Sequence, residues 1–68
     1  MNTNLTEDIT FAIKDKHNCY YTGYNQWDKQ LRKAKLYHSY KYAEDIKNDK
    51  RFKEHDAHIV KVLITEVE

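Results

Sequence analysis

The most constraining feature of the chain is its C-terminal stretch, His58 to Glu68, which reads H-I-V-K-V-L-I-T-E-V-E. Ile59, Val60, Val62, Leu63, Ile64 and Val67 are aliphatic, and all but Leu63 are β-branched, as an extended strand prefers. Alternation places Val60, Val62 and Ile64 on one face, with Ile59, Lys61, Leu63, Thr65 and Val67 on the other. Apolar groups on both faces make this read as an interior strand. Upstream segments must then supply strands to pair its backbone and a layer to cover its apolar side.

Met1 to Thr6 is polar and expected to fray, after which Ile9, Phe11 and Ile13 alternate with Thr10, Ala12 and Lys14 as a first strand. Asp15-Lys16-His17-Asn18 carries turn chemistry, because Asp and Asn bond their own backbone or accept a left-handed conformation. Cys19-Tyr20-Tyr21-Thr22-Gly23-Tyr24 returns as a second strand, with Gly23, the only glycine, at its end or at a bulge. Trp27 to Lys33 reads as a loop or a single helical turn, followed by a short third strand over Ala34 to His38. Ser39 is placed to cap a helix over about Tyr40 to Phe52. Ala43, Ile46 and Tyr42 form its buried stripe, while Lys41, Glu44, Asp45 and Lys47 face water.

The expected fold is therefore α+β: a small β-β-β-α-β domain, with a mainly antiparallel sheet and one helix packed on one face. A right-handed crossover would set the last strand beside the first and parallel to it. One helix covers only one face, so the tyrosine-bearing other face is expected to meet a target or a second copy, and a homodimer through that face or through an edge strand is expected. At 68 residues the chain reads as one domain, 1–68, and a marginal one, since a chain of this size buries only about 60% of its unfolded surface. A single cysteine, Cys19, excludes an intrachain disulfide and suits a reducing cytoplasm. The N-terminus has no signal-peptide pattern and no run approaches a membrane span, so a soluble cytoplasmic protein is expected.

Residues that carry chemistry are sparse. His55 and His58, with Asp56, His17 and Cys19, are metal-ligand types, but a closed zinc site needs four well-spaced ligands and the spacing has no second half. His17 and Cys19 lie two apart with no orienting third group, so Cys19 reads as a structural thiol. There is no phosphate-binding glycine loop and no carboxylate pair in an apolar setting. No catalytic residue, metal or cofactor is expected, and the enzyme class is set aside.

The local anomaly is charge, because Lys29, Arg32, Lys33, Lys35 and Lys41 occur without an intervening acid, whereas acids gather at Glu7, Asp8, Glu66 and Glu68. The strip, spanning 29–41, is interleaved with Tyr37 and Tyr40 and follows Trp27. It reads as a solvated edge, as a site for an acidic protein, or as a phosphate grip with rings that stack on bases. A formal net charge of +1 places nucleic acid last of the three. Aromatics beyond what a core of this size uses favour a protein interface. The candidate partner-binding residues are thus Trp27, Lys29, Arg32, Lys33, Lys35, Tyr37, Tyr40 and Lys41.

The run W-D-K-Q-L-R-K-A-K-L-Y-H-S-Y-K-Y-A, after a Tyr-Tyr-Thr-Gly-Tyr strand and before a strand ending T-E-V-E, resembles small early-region proteins of phages and prophages of low-GC Gram-positive bacteria. The similarity extends from Phe11 onward and rests on fold-forming positions such as Leu31, Ala34, Ser39 and Ala43. It implies a context in which small proteins bind and disable host or defence machinery, CRISPR effectors included. The functional expectation is a non-enzymatic protein-binding module that inhibits or modulates a host or defence protein. The alternative is a small nucleic-acid-binding protein that uses strip 29–41.

Overall fold

A computed structural model describes residues 5 to 67, with side chains from 8 to 65. Five elements follow in order: β1 (Leu5–Lys14), β2 (Tyr20–Gly23), β3 (Gln26–Asp28), α1 (Tyr40–Lys47) and β4 (His58–Val67). Short 3₁₀ helices at Leu31–Lys33 and Lys50–His55 complete the chain. The four strands form one antiparallel sheet in the order β3-β2-β1-β4, so the domain is the small α+β fold that the sequence predicts.

Two expectations about β4 are corrected. It lies at the edge of the sheet, and it runs antiparallel to β1 in a ten-residue register from Leu5↔Val67 to Lys14↔His58. The reason is where the second 3₁₀ helix docks. The Lys16 N–H donates to the His55 carbonyl at 3.0 Å, which pins the chain beside the end of β1 just before β4 begins. From there the only course along β1 is back toward its start. Leu5 and Thr6, expected to fray, instead belong to β1 by their backbone. Met1 to Asn4 lie outside the described residues.

The β1–β2 turn forms as its sequence predicts. One carboxylate oxygen of Asp15 accepts the N–H groups of His17 at 2.9 Å and Cys19 at 2.8 Å, and Asn18 takes a positive φ of 63°. β2 then bulges at Gly23 and turns through Tyr24 and Asn25 (φ 53° and 59°) into β3. Two successive left-handed residues match the twist of a tight hairpin, and this third strand replaces the one expected over Ala34 to His38. That later segment is extended but joins the sheet only at isolated points. Phe11 and Tyr37 exchange backbone hydrogen bonds at 2.7 and 2.8 Å, while the Lys35 N–H donates to the Tyr21 carbonyl at 2.9 Å. It wedges between β1 and β2, which pair at Lys14↔Tyr20 and then diverge.

α1 starts where Ser39 predicts, with the Ser39 hydroxyl accepting the Tyr42 N–H at 3.2 Å. Ser39→Ala is expected to lower stability by about 1 kcal/mol, read from chemical denaturation; no measurable change would mean that the cap is redundant. The helix stops at Lys47, short of the expected Phe52, because the chain closes at Asn48 and restarts as the second 3₁₀ helix. There Asp49 caps by accepting the Arg51 N–H at 3.0 Å.

The core lies between α1 and the sheet face carrying Phe11, Ile13 and Ile59. Ile13, Tyr21, Tyr37, Ala43 and Phe52 are buried there, and Ala43 lets the helix approach closely. Tyr42, expected in the buried stripe, is exposed, although its ring meets the edge of Tyr37 at 5.5 Å. On the opposite face Thr10 and Ala12 are fully buried. They are small, they stand in a central strand, and the bulkier Val62 and Val60 stand opposite them. The Thr10 hydroxyl is satisfied by donating to the Val62 carbonyl at 2.9 Å.

Candidate binding groove

The eight residues singled out in the sequence do not form one patch. Tyr37 is 5% exposed and belongs to the core, so it cannot serve as an exposed anchor. Trp27 is half-buried, stacked on the His55 ring at 4.6 Å and edge-on to Tyr21 and Phe52 at 5.3 and 5.7 Å. Its packing ties β3 to the second 3₁₀ helix. Lys29, Arg32 and Lys33 surround the first 3₁₀ helix and are exposed, with Arg32 donating to Gln30 at 2.6 Å and Lys33 lying 3.8 Å from Asp28. Such an exposed pair contributes little. Tyr40 and Lys41 are exposed on the first turn of α1, where the Tyr40 ring meets Phe11 at 5.5 Å.

Of the five cations singled out in the sequence, Lys35 is the one that lines a groove. A groove of about 300 Å³ is lined by Tyr21, Gly23, Tyr24, Lys35, Tyr37, Tyr42, Ile46 and Arg51. The wedge segment brings Lys35 and Tyr37, α1 brings Tyr42 and Ile46, and the second 3₁₀ helix brings Arg51. Gly23 forms part of the wall, where an added Cβ would meet the Lys35 stem at 3.7 Å. The Arg51 guanidinium lies 6.0 Å from the Tyr21 ring and 5.1 Å from the Phe52 ring, held by cation–π attraction. Its Nε stands 3.8 Å from Asp49, too far for a hydrogen bond, so its donors stay available. A second hollow of about 380 Å³ by Phe52 and Ala57 mixes Lys47, Lys50 and Lys53 with Asp49 and Asp56, so its charges largely cancel.

No acidic residue lines the tyrosine groove, which makes it electropositive. The Tyr37 phenol is pushed above its ordinary value of 10.0, chiefly by burial and then by Tyr21 and Tyr42, with Arg51 opposing. Its hydroxyl is therefore a neutral donor at physiological pH. The Tyr21 hydroxyl accepts the Asn25 N–H at 3.3 Å, which couples the floor of the groove to the β2–β3 turn. Two cations, phenol donors and an aliphatic patch at Ile46 suit a carboxylate or another anion borne on an apolar stem.

Tyr24 stands out at the rim. It is 95% exposed and holds a left-handed backbone that a bulky side chain adopts at a cost. Tyr24→Asn is expected to stabilise the fold by about 0.5–1 kcal/mol, since Asn suits the first position of this turn. The same variant removes the exposed ring, so it should weaken partner binding while raising the melting temperature. A lower melting temperature would show that the ring supports the fold.

Sequence reasoning missed Tyr24, Tyr42 and Arg51. A Gly-Tyr-Asn run between aromatic segments was the available signal for the turn; Arg51, flanked by Lys50 and Phe52, carried none. Among the described residues no group of three or more His, Cys, Asp or Glu side chains converges as a metal site. His17 is exposed, and the Cys19 thiol lies 3.8 Å from the His17 carbonyl, toward which it donates. No described helix is long and apolar enough to cross a membrane. Comparison with protein-family models, with curated proteins and with solved structures finds no match to the chain.

Proposed function

We propose that the chain is a non-enzymatic protein-binding module that occupies an acidic segment on the surface of a target and thereby blocks it. The observation that carries this reading is the solvent-exposed Tyr24 ring, held in a strained turn beside Lys35 and Arg51 at the rim of a groove without acids. Exposed tyrosine and arginine are the side chains that most often anchor protein interfaces. Lys29, Arg32, Lys33 and Lys41 would then steer an acidic partner toward the groove, speeding encounter more than holding the complex. Together with the resemblance to phage early-region proteins, this favours a host or defence protein as target, in the manner of an anti-CRISPR inhibitor.

The test is affinity capture from nuclease-treated lysate of a low-GC Gram-positive bacterium, using the wild-type chain beside its Lys35→Glu/Arg51→Glu variant. A protein retained by the first and lost by the second supports the reading. If the wild-type chain retains no protein, but untreated lysate yields nucleic acid that elutes with salt, strip 29–41 binds phosphates and the reading fails.

A further inference from the structure

We propose that β4 pairs edge to edge with β4 of a second copy, about a two-fold axis at Leu63, joining two sheets into one. The argument begins with hydrogen-bond direction. Phe11 spends both backbone groups on Tyr37, so it has none for its β4 partner Lys61, and Phe11↔Lys61 is a non-hydrogen-bonded pair. Antiparallel ladders alternate, so Ile59, Lys61, Leu63 and Thr65 all aim their N–H and C=O groups away from β1. Among the described residues no hydrogen bond reaches those outward groups. β4 is thus an open edge of ten residues, in a ribbon that runs along a molecule 49 Å long and only 23 Å by 18 Å across.

Side chains say what meets this edge. Ile9 and Leu63 are cross-strand partners, 51% and 55% exposed, on the face that α1 covers only farther along. Ile64, on the other face, is 43% exposed. A two-fold at Leu63 sets Leu63 against its copy and extends this into a row, Ile9–Leu63–Leu63–Ile9, while on the other face Ile64 meets Val62. The same register puts Lys61 opposite Thr65 of the copy. A two-fold at Lys61 would instead oppose two lysines. Charge runs along the ribbon in the required sense, with Lys14 and Lys61 toward the body and Asp8 toward the far end. Antiparallel pairing lays the lysine-bearing half of one edge along the half of the other that carries Asp8, which a second copy supplies and an arbitrary strand does not.

The test uses the whole chain in sedimentation velocity across micromolar concentrations, with hydrogen exchange on the same samples. The expected result is a mass of two chains that falls to one on dilution, with the Ile59, Lys61, Leu63 and Thr65 amides protected only in the heavier species. Leu63→Pro removes an outward N–H while leaving the β1–β4 ladder whole, so it should give a folded monomer. If that variant unfolds, Leu63→Lys at this exposed position serves instead, since it opposes two lysines across the two-fold and should weaken the dimer about tenfold. A wild-type chain that stays monomeric at high micromolar concentration overturns the proposal. So does a dimer in which those four amides exchange freely, or one that survives a folded Leu63→Pro.

Discussion

Phe52→Ala is expected to lower the stability of the fold by about 3–5 kcal/mol and to abolish cooperative melting near physiological temperature. Phe52 is buried, and its ring is the meeting point of two other aromatics, edge-on to Tyr21 at 4.8 Å and to Trp27 at 5.7 Å. Its removal leaves a cavity that the short 3₁₀ helix around it cannot close by sliding. A domain of this length has roughly 3–10 kcal/mol in total, so the loss consumes a large share of it. Phe52→Leu keeps most of the volume and should cost less than about 1.5 kcal/mol. Calorimetry of both variants is the check, and a loss below about 1 kcal/mol for the alanine would place Phe52 outside the core.

The second large effect falls on binding. Reversing Lys35 and Arg51 together is expected to weaken capture of an acidic partner about a hundredfold, near a factor of ten for each charge. Both side chains are exposed, and Arg51's one carboxylate contact is loose, so the melting temperature should move by only a few degrees. Reversing Lys29 and Lys33 instead should chiefly slow association and make it less sensitive to salt. Equal losses from the two pairs, measured by surface plasmon resonance on the captured protein, would deny the groove any special part.

What could be read from the residues was what local chemistry decides. The alternation in β1 and β4, the Asp15 turn and the Ser39 cap are each settled by a few neighbouring side chains, and the structure contains them. What escaped was settled at a distance. β4 looks interior because both its faces are apolar, yet pattern reports faces and says nothing of edges. Ala34 to His38 has strand-like composition, but Tyr37 is drawn into the core and only Phe11 pairs with it. The groove was partly legible, since Lys35 and Tyr37 lay within the suspected strip. Tyr24 and Arg51 lie far apart in sequence and meet only because β2 and the second 3₁₀ helix pack on the same core.

The wedge that parts β2 from β1 also decides the order in which the molecule can assemble. The β2–β3 hairpin and α1 close over short stretches of chain and need nothing distant. β1, by contrast, keeps a single β2 pair, and its continuous partner is β4, with Thr10 and Val62 bonded across 52 residues. Closing so long a loop has an entropic cost that no earlier contact offsets. Refolding should therefore be limited by the docking of the last strand onto the first, and slower than the chain's length alone suggests. Until that event the β-branched row of β4 stands open to any passing strand, and the same residues that complete the monomer are those most exposed to misassembly.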